Sequence, residues 1–246
     1  MKVSQEYNKE DLVRYDRIRK ILTDLYPKFF TGIDREVIEC CGKRLEVFRD
    51  NALLLNTEHE SKIFFDYILY NYKIGGVNLI QKAFNKFSKY YEGDVLDIFT
   101  AAKNGYFAYL KILSPVGDEG LMVYDRERNL EYLMIDRGLN NVAKRKAKTA
   151  IVTNIIKFDN YIITTGASTP VFLETEDGQM IQTIFKQHSR RIQEGGDEKK
   201  TRFQYISDIY RTCFQEDITG QVTSPAAPFG KAALKNKVHG GSGYTH

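Results

Sequence analysis

The residues best suited to do chemistry are cations. Lys144, Arg145, Lys146 and Lys148 lie within five positions of one another, just before a β-branched run that ends in Lys157. Side chains of this kind attract phosphates and other anions. On a small β-barrel, a basic loop beside exposed rings is a recurring nucleic-acid surface. Tyr109 and Tyr132 are the rings expected to stack there, with Tyr106, Tyr124 and Tyr161 as further candidates. The competing reading is a solvated loop whose tyrosines pack into the core, the usual fate of a charge run. A second basic group, Lys186, His188, Arg190 and Arg191, either extends this surface or satisfies the C-terminal dipole of a helix.

Asp125 and Asp136 close two successive hydrophobic runs. Placed at one rim of a sheet, they would hold a divalent metal or divide acid and base duty, the chemistry of a hydrolase or nuclease. Placed in turns, they would cap amide groups or pair with Arg126, Arg128 and Arg137. Cys40 and Cys41 are helical neighbours about 100° apart, so they do not face one site or readily bridge. Of the four histidines, His239 and His246 lie in a Gly- and Ser-rich end, while His59 and His188 read as solvated helix residues. There is no Gly-x-x-x-x-Gly-Lys loop, no Gly-x-Gly-x-x-Gly before a helix, no His-Glu-x-x-His and no cysteine spacing for zinc. These patterns assign no catalytic residue, no metal and no cofactor.

The elements that must position these residues follow from hydrophobic spacing. Leu12, Tyr15, Ile18, Leu22, Leu25 and Phe29 recur every three or four residues and predict a helix, which Pro27 should end or bend. Asp34 is placed to cap a second helix. Thr57 and Glu60 form a capping box for a third, with Glu58 and Lys62 adding an ion pair four residues apart. That helix is apolar nearly all round from Ile63 to Tyr70, which suits a central position. Gly75-Gly76 breaks it, Asn78 to Tyr91 forms another helix, and Asp94 is placed to cap a shorter one ending at Asn104-Gly105.

Beyond Gly105 the period changes. Tyr106–Leu113, Leu121–Tyr124, Leu130–Ile135, Thr149–Phe158 and Tyr161–Thr165 read as five short strands separated by turn residues, a pattern that predicts a small barrel. After Gly166, Ser168 or Thr169 is placed to cap a helix with Pro170 in its first turn, and Arg202–Phe214 is a final helix. From about Thr219 the composition falls to Ser, Pro, Ala, Gly and Lys, as in a disordered tail.

From Ala101 to Val171 the string resembles a β-module of uncharacterised bacterial proteins, some of which carry a SecA-type cysteine-rich zinc motif. The matching pieces are Gly105-Tyr106-Phe107, Gly117 and Gly120, Leu121 to Asp125, Asp136-Arg137-Gly138-Leu139, and Ile155 to Gly166. The zinc motif is absent here, and Ala143 to Lys148 replaces a glycine-centred turn. The resemblance implies a bacterial, cytoplasmic module with appended helices and implies no reaction.

The 246 residues carry 36 Lys and Arg against 32 Asp and Glu, so overall charge does not announce a nucleic-acid binder. Three cysteines, two of them adjacent, make no disulfide framework, and no apolar leader or membrane-length run is present. The fold expected is α+β: a helical region over 1–104, a small antiparallel five-stranded barrel-like module over 105–166, C-terminal helices over 167–216 and a disordered tail over 217–246. The function expected is binding rather than catalysis. A protein partner or a second copy would engage the N-terminal helices, and nucleic acid or another anion the basic turn, with no membrane involved. The alternatives are the metal-dependent hydrolase or nuclease on rim carboxylates, and a purely protein-interaction role such as a bacterial effector. Because the tail cannot bury enough apolar area to offset its ordering entropy, a chain ending near Thr219 should melt at the same temperature as the full chain. A fall of more than a few degrees would show that Phe229 or Leu234 docks on the body.

Overall fold

The computed structural model describes residues 7–145 and 149–215, and the side chains of residues 142–145 and 215 fall outside that description. Helix α1 (Lys9–Phe29) starts at an Asn8–Asp11 capping box and carries Pro27 in its last turn, where it ends. The buried faces of Tyr15, Ile18, Leu22, Leu25 and Phe29 follow the sequence spacing. Asp34 caps α2 (Arg35–Arg44) by accepting from the Val37 amide. A short hairpin follows, β1 (Phe48–Arg49) and β2 (Ala52–Leu53), turned by Asp50 and Asn51, both at positive φ.

In α3 (Glu58–Asp66) the Thr57 hydroxyl accepts from the Glu60 amide as expected, at 3.0 Å. The Glu60 carboxylate reaches one residue further back than a capping box, to the Asn56 amide. Glu58 and Lys62 form the expected pair at 3.1 Å, but Lys62 is buried and only Glu58 is exposed. The helix continues into a π-helical turn, Tyr67–Asn71, and every residue from Ile63 to Asn71 is buried. The all-round apolar pattern therefore marks the centre of the molecule. Helices α4 (Leu79–Phe87) and α5 (Gly93–Lys103) complete the N-terminal layer. The expected Asp94 cap does not form: Glu92 occupies the cap position without a side-chain bond, and Asp94 pairs with Arg17 of α1 at 2.7 Å.

The barrel consists of β3 (Tyr106–Val116), β4 (Gly120–Asp125), β5 (Leu130–Ile135), β6 (Thr149–Lys157) and β7 (Ile162–Thr164), in ring order β3-β4-β5-β7-β6 closed by β6 on β3. Closure is mixed rather than purely antiparallel, because β5 meets β7 in parallel at Met134 and Ile162. One edge of β6 pairs with β3 over Ala150–Ile155. Its other edge is divided between β8 (Thr169–Phe172) and β7. The expected helix start at Ser168, Thr169 and Pro170 is thus a sixth strand. Pro170 lies opposite Ile151 on the outermost strand, where its missing amide costs no ladder bond. The helix begins later, as α7 (Glu176–Gln193), capped by Thr175, and α8 (Glu198–Gln215) packs beside it.

Strand side chains alternate between two cores. Ala108, Leu110, Leu121, Val123, Tyr132, Met134, Ile151, Ile155 and Ile162 fill the barrel. Phe107, Tyr109, Met122, Leu133, Val152, Ile156 and Ile163 face outward into one continuous core shared with the helices. Burial on both faces explains why these strands read as unbroken apolar runs. One end of the barrel is stoppered by α6 (Arg137–Arg145), whose Leu139 enters the barrel core while the Asn140 amide donates to the Gly120 carbonyl. Among the described residues no helix is long and apolar enough to cross a membrane.

Gly178 sits in the first turn of α7. A Cβ there would meet the Phe172 carbonyl oxygen at 2.0 Å. Gly178→Ala should therefore destabilise the protein by about 1–3 kcal/mol, opposite in sign to the gain of up to ~1 kcal/mol from helix propensity. Chemical denaturation reads that sign directly.

Candidate functional site

The register of the β4–β5 hairpin decides the carboxylates first. Asp125 lies opposite Leu130 beside the turn, and Gly120 lies opposite Ile135 at the other end, next to Asp136. Antiparallel strands end at opposite rims, so six residues separate the two carboxylates by about 20 Å. The expectation of one rim is corrected accordingly. Asp125 is fully buried and accepts from the Glu127 and Arg128 amides and from the Arg128 side chain. Asp136 caps α6 through the Gly138 and Leu139 amides and accepts from the Thr164 hydroxyl at 2.7 Å. Arg19 of α1 lies 3.8 Å from the same carboxylate and donates to the Thr164 carbonyl at 2.7 Å. Both aspartates thus hold turns and helices in place. Among the described residues no three His, Cys, Asp or Glu side chains group as a metal site would need.

The basic run is not a turn where it is described. Lys144 and Arg145 lie in the last turn of α6, and Lys146 and Lys148 lie outside the described residues. Tyr109 is corrected as a stacking platform. It faces outward from β3 but is fully covered by the C-terminal layer, with its ring 5.5 Å from Phe185 and the Arg126 guanidinium above it. Tyr132 points into the barrel and is also buried, so its faces are not free to stack. The two tyrosines lie on opposite sides of the barrel wall.

Lys157 and Tyr132 are brought together. The Lys157 Nζ sits 5.4 Å from the Tyr132 ring centroid, the Tyr106 hydroxyl donates to that of Tyr132 at 3.4 Å, and the Arg128 guanidinium covers the Tyr106 ring at 3.5 Å. These four residues mark the barrel end away from α6. Burial raises the Tyr106 phenol, and its bond to Tyr132 adds to the effect.

Beside this mouth opens a cleft of about 710 Å³, between α1 (Arg14, Arg17, Ile18), α5 (Asp94, Asp97, Ile98, Thr100, Ala101, Asn104) and the barrel (Tyr106, Lys157, Phe158, Asp159). Its size falls within the range of small-molecule sites. Ile18, Ile98 and Phe158 are buried at its base, whereas its charged groups are exposed. Arg14 lies 5.8 Å from the Phe158 ring centroid. Among the described residues neither Arg14 nor Lys157 has a carboxylate within ion-pair distance, and neither Asp97 nor Asp159 has a cation. Among the described residues, Lys157 and the further stacking candidate Tyr106 are the expected ligand residues found in this cleft. Arg14 and Asp97 carry no local motif and could only be found by folding α1 against α5.

The histidines and cysteines stay outside the cleft. His59 is buried rather than solvated, and burial lowers its imidazole, aided by Lys62. His188 is half-buried and stacks on Tyr205 with centroids 4.2 Å apart. In the last turn of α7, Arg190 pairs with Glu194 at 2.6 Å. Cys40 is exposed, while Cys41 is buried with its thiol pushed up by desolvation.

The most perturbed carboxyl is Asp66, which is 1% exposed. It accepts from the Asn154 amide at 2.6 Å and from the Tyr210 hydroxyl at 3.4 Å. Burial raises it from 3.8 to about 7, although the bonds from Asn154, Thr165 and Tyr210 each pull it down. The folded protein therefore keeps a proton that the unfolded chain releases above about 4. The stability from this group is complete below that pH and is lost as pH rises through about 7. Asp66→Asn keeps an acceptor for Asn154 and removes the titration. It should melt higher than the parent at pH 8, by up to about 4 kcal/mol, with the difference shrinking toward pH 4. Identical melting profiles of the two proteins across this range would refute the protonated carboxyl.

Compared with known proteins, residues 9–216 match the model of one family, described as a family of unknown function (DUF7986). No curated protein and no solved structure matches the chain.

Proposed function

The chain belongs to DUF7986, a family of unknown function, and we propose that it is a binding module, not an enzyme, that holds an anionic ligand in the cleft at the barrel mouth. The observation that carries this reading is the placement of Arg14 and Lys157 on two different elements of one cleft, without carboxylate partners among the described residues. Tyr106, Thr100 and Asn104 add polar groups to the same walls. The rim-carboxylate hydrolase loses its premise, since Asp125 and Asp136 sit at opposite ends of one hairpin. The N-terminal helical region exposes Val13 and Tyr90, each 69% accessible, as contacts for a protein partner or a second copy. The resemblance of residues 101–171 to a bacterial module supports a bacterial, cytoplasmic setting.

Inorganic phosphate, followed by backbone amide shifts, tests the cleft. Arg14→Gln with Lys157→Gln should weaken saturable binding at least about tenfold, as expected for losing two charge-assisted contacts. Folding should survive, because surface changes usually cost under ~0.5 kcal/mol. Neutralising Lys144, Arg145, Lys146 and Lys148 should leave phosphate binding unchanged. If that second variant instead abolishes binding, with a steep salt dependence on oligonucleotides, the basic run is the anion site and the cleft is not.

A further inference from the structure

We propose that the ligand of this cleft is a zwitterion, a small molecule carrying a cationic and an anionic group at once; this rests on the cleft being the binding site. Charge in the cleft is sorted by element. The α1 wall supplies only cations, Arg14 and Arg17, the α5 wall only carboxylates, Asp94 and Asp97, and the barrel wall one of each, Lys157 and Asp159. Arg17 and Asp94 already satisfy each other across the two helices at 2.7 Å. That leaves Arg14 and Lys157 as seats for an anion and Asp97 and Asp159 as seats for a cation.

A polyanion drawn to Arg14 and Lys157 would meet the acidic wall, and a polycation drawn to Asp97 would meet the basic one. Like charges held together in this way cost binding energy and reject the wrong partner. Only a ligand with both signs finds complementary charge on both walls. The apolar base of Ile18, Ile98 and Phe158 accommodates the uncharged part between its ends. Both charged ends remain in contact with solvent, so the ligand keeps part of its hydration and the preference is one of matching rather than of deep burial.

Triglycine, N-acetyltriglycine and triglycinamide have nearly the same backbone and differ in whether both ends, only the anionic end or only the cationic end is charged. Phosphoethanolamine, inorganic phosphate and ethanolamine form a shorter matched set. Titrated into the full chain and followed by amide shifts, at least one zwitterion should bind about tenfold or more tighter than either of its single-charge counterparts. Asp97→Asn should bring that zwitterion down toward its anion-only counterpart, whose own binding should hold or tighten because the repelling carboxylate is gone. Arg14→Gln should bring it down toward the cation-only counterpart. Both residues are exposed, so loss of fold does not confound the comparison. If phosphate binds through Arg14 and Lys157 but neither zwitterion exceeds its single-charge counterparts, or if Asp97→Asn leaves the preference intact, the zwitterion inference is overturned and the anion-binding reading stands. If no probe binds, including phosphate, both fall.

Discussion

Asp66, Asn154 and Tyr210 meet at one buried point, and each comes from a different part of the chain: α3, β6 and α8. The reason lies in the barrel. At Asn154 the free edge of β6 passes from pairing with β8 to pairing with β7, and its carbonyl accepts instead from the Thr165 amide at 3.0 Å. Asn154 faces the helical layer, as alternation along β6 requires, so a polar side chain enters an apolar interface. Burying it without partners would cost several kcal/mol. The central helix supplies a carboxyl and the last helix a phenol to meet it. Tyr26 of α1 completes the junction by donating to the Thr165 carbonyl at 2.9 Å. The central helix, the sheet and the C-terminal helix are thus tied together at one buried polar side chain of β6.

A barrel buried on both faces has little wall to offer a ligand. Its chemistry is pushed to its ends, and these differ. At one end α6 inserts Leu139, and Asp136, Thr164 and Arg19 tie the stopper to α1. At the other end no helix enters among the described residues, and Arg128, Tyr106, Tyr132 and Lys157 follow one another as a series of phenols and cations. The α1–α5 pair lies against this open end, and its charged faces make the rest of the cleft. The same helix that pins the stopper through Arg19 therefore presents Arg14 to the cleft, about one turn earlier.

Much of the fold was legible in the residues. The helix spacing of Leu12 to Phe29, the caps at Asp34 and Thr57, the central apolar helix and five strands could be read locally, because propensity, capping and periodicity agree there. The misreadings have physical causes. Thr169-Pro170 has the look of a helix start, but the edge of β6 left open by the short β7 captures it as a strand. Asp94 has the look of a cap but is drawn to Arg17. Lys144 and Arg145 read as a turn, but the Asp136 cap sets a helix running through them.

What the sequence determined by itself was the N-terminal helices and five strands of the barrel, the absence of recognised catalytic motifs and the presence of Lys157 at the end of a strand, since these depend on neighbours a few residues apart. The tertiary structure decided which side chains are available. Tyr109 and Tyr132 lost their faces to two cores that form only when the sheet closes, and Asp125 and Asp136 were parted by an antiparallel register. Arg14, Asp97 and Lys157 were joined from three distant segments because α1 and α5 pack together beside the open end of the barrel. Contacts at such separation leave no periodic trace in a chain, so only the packed molecule could place opposite charges on facing walls.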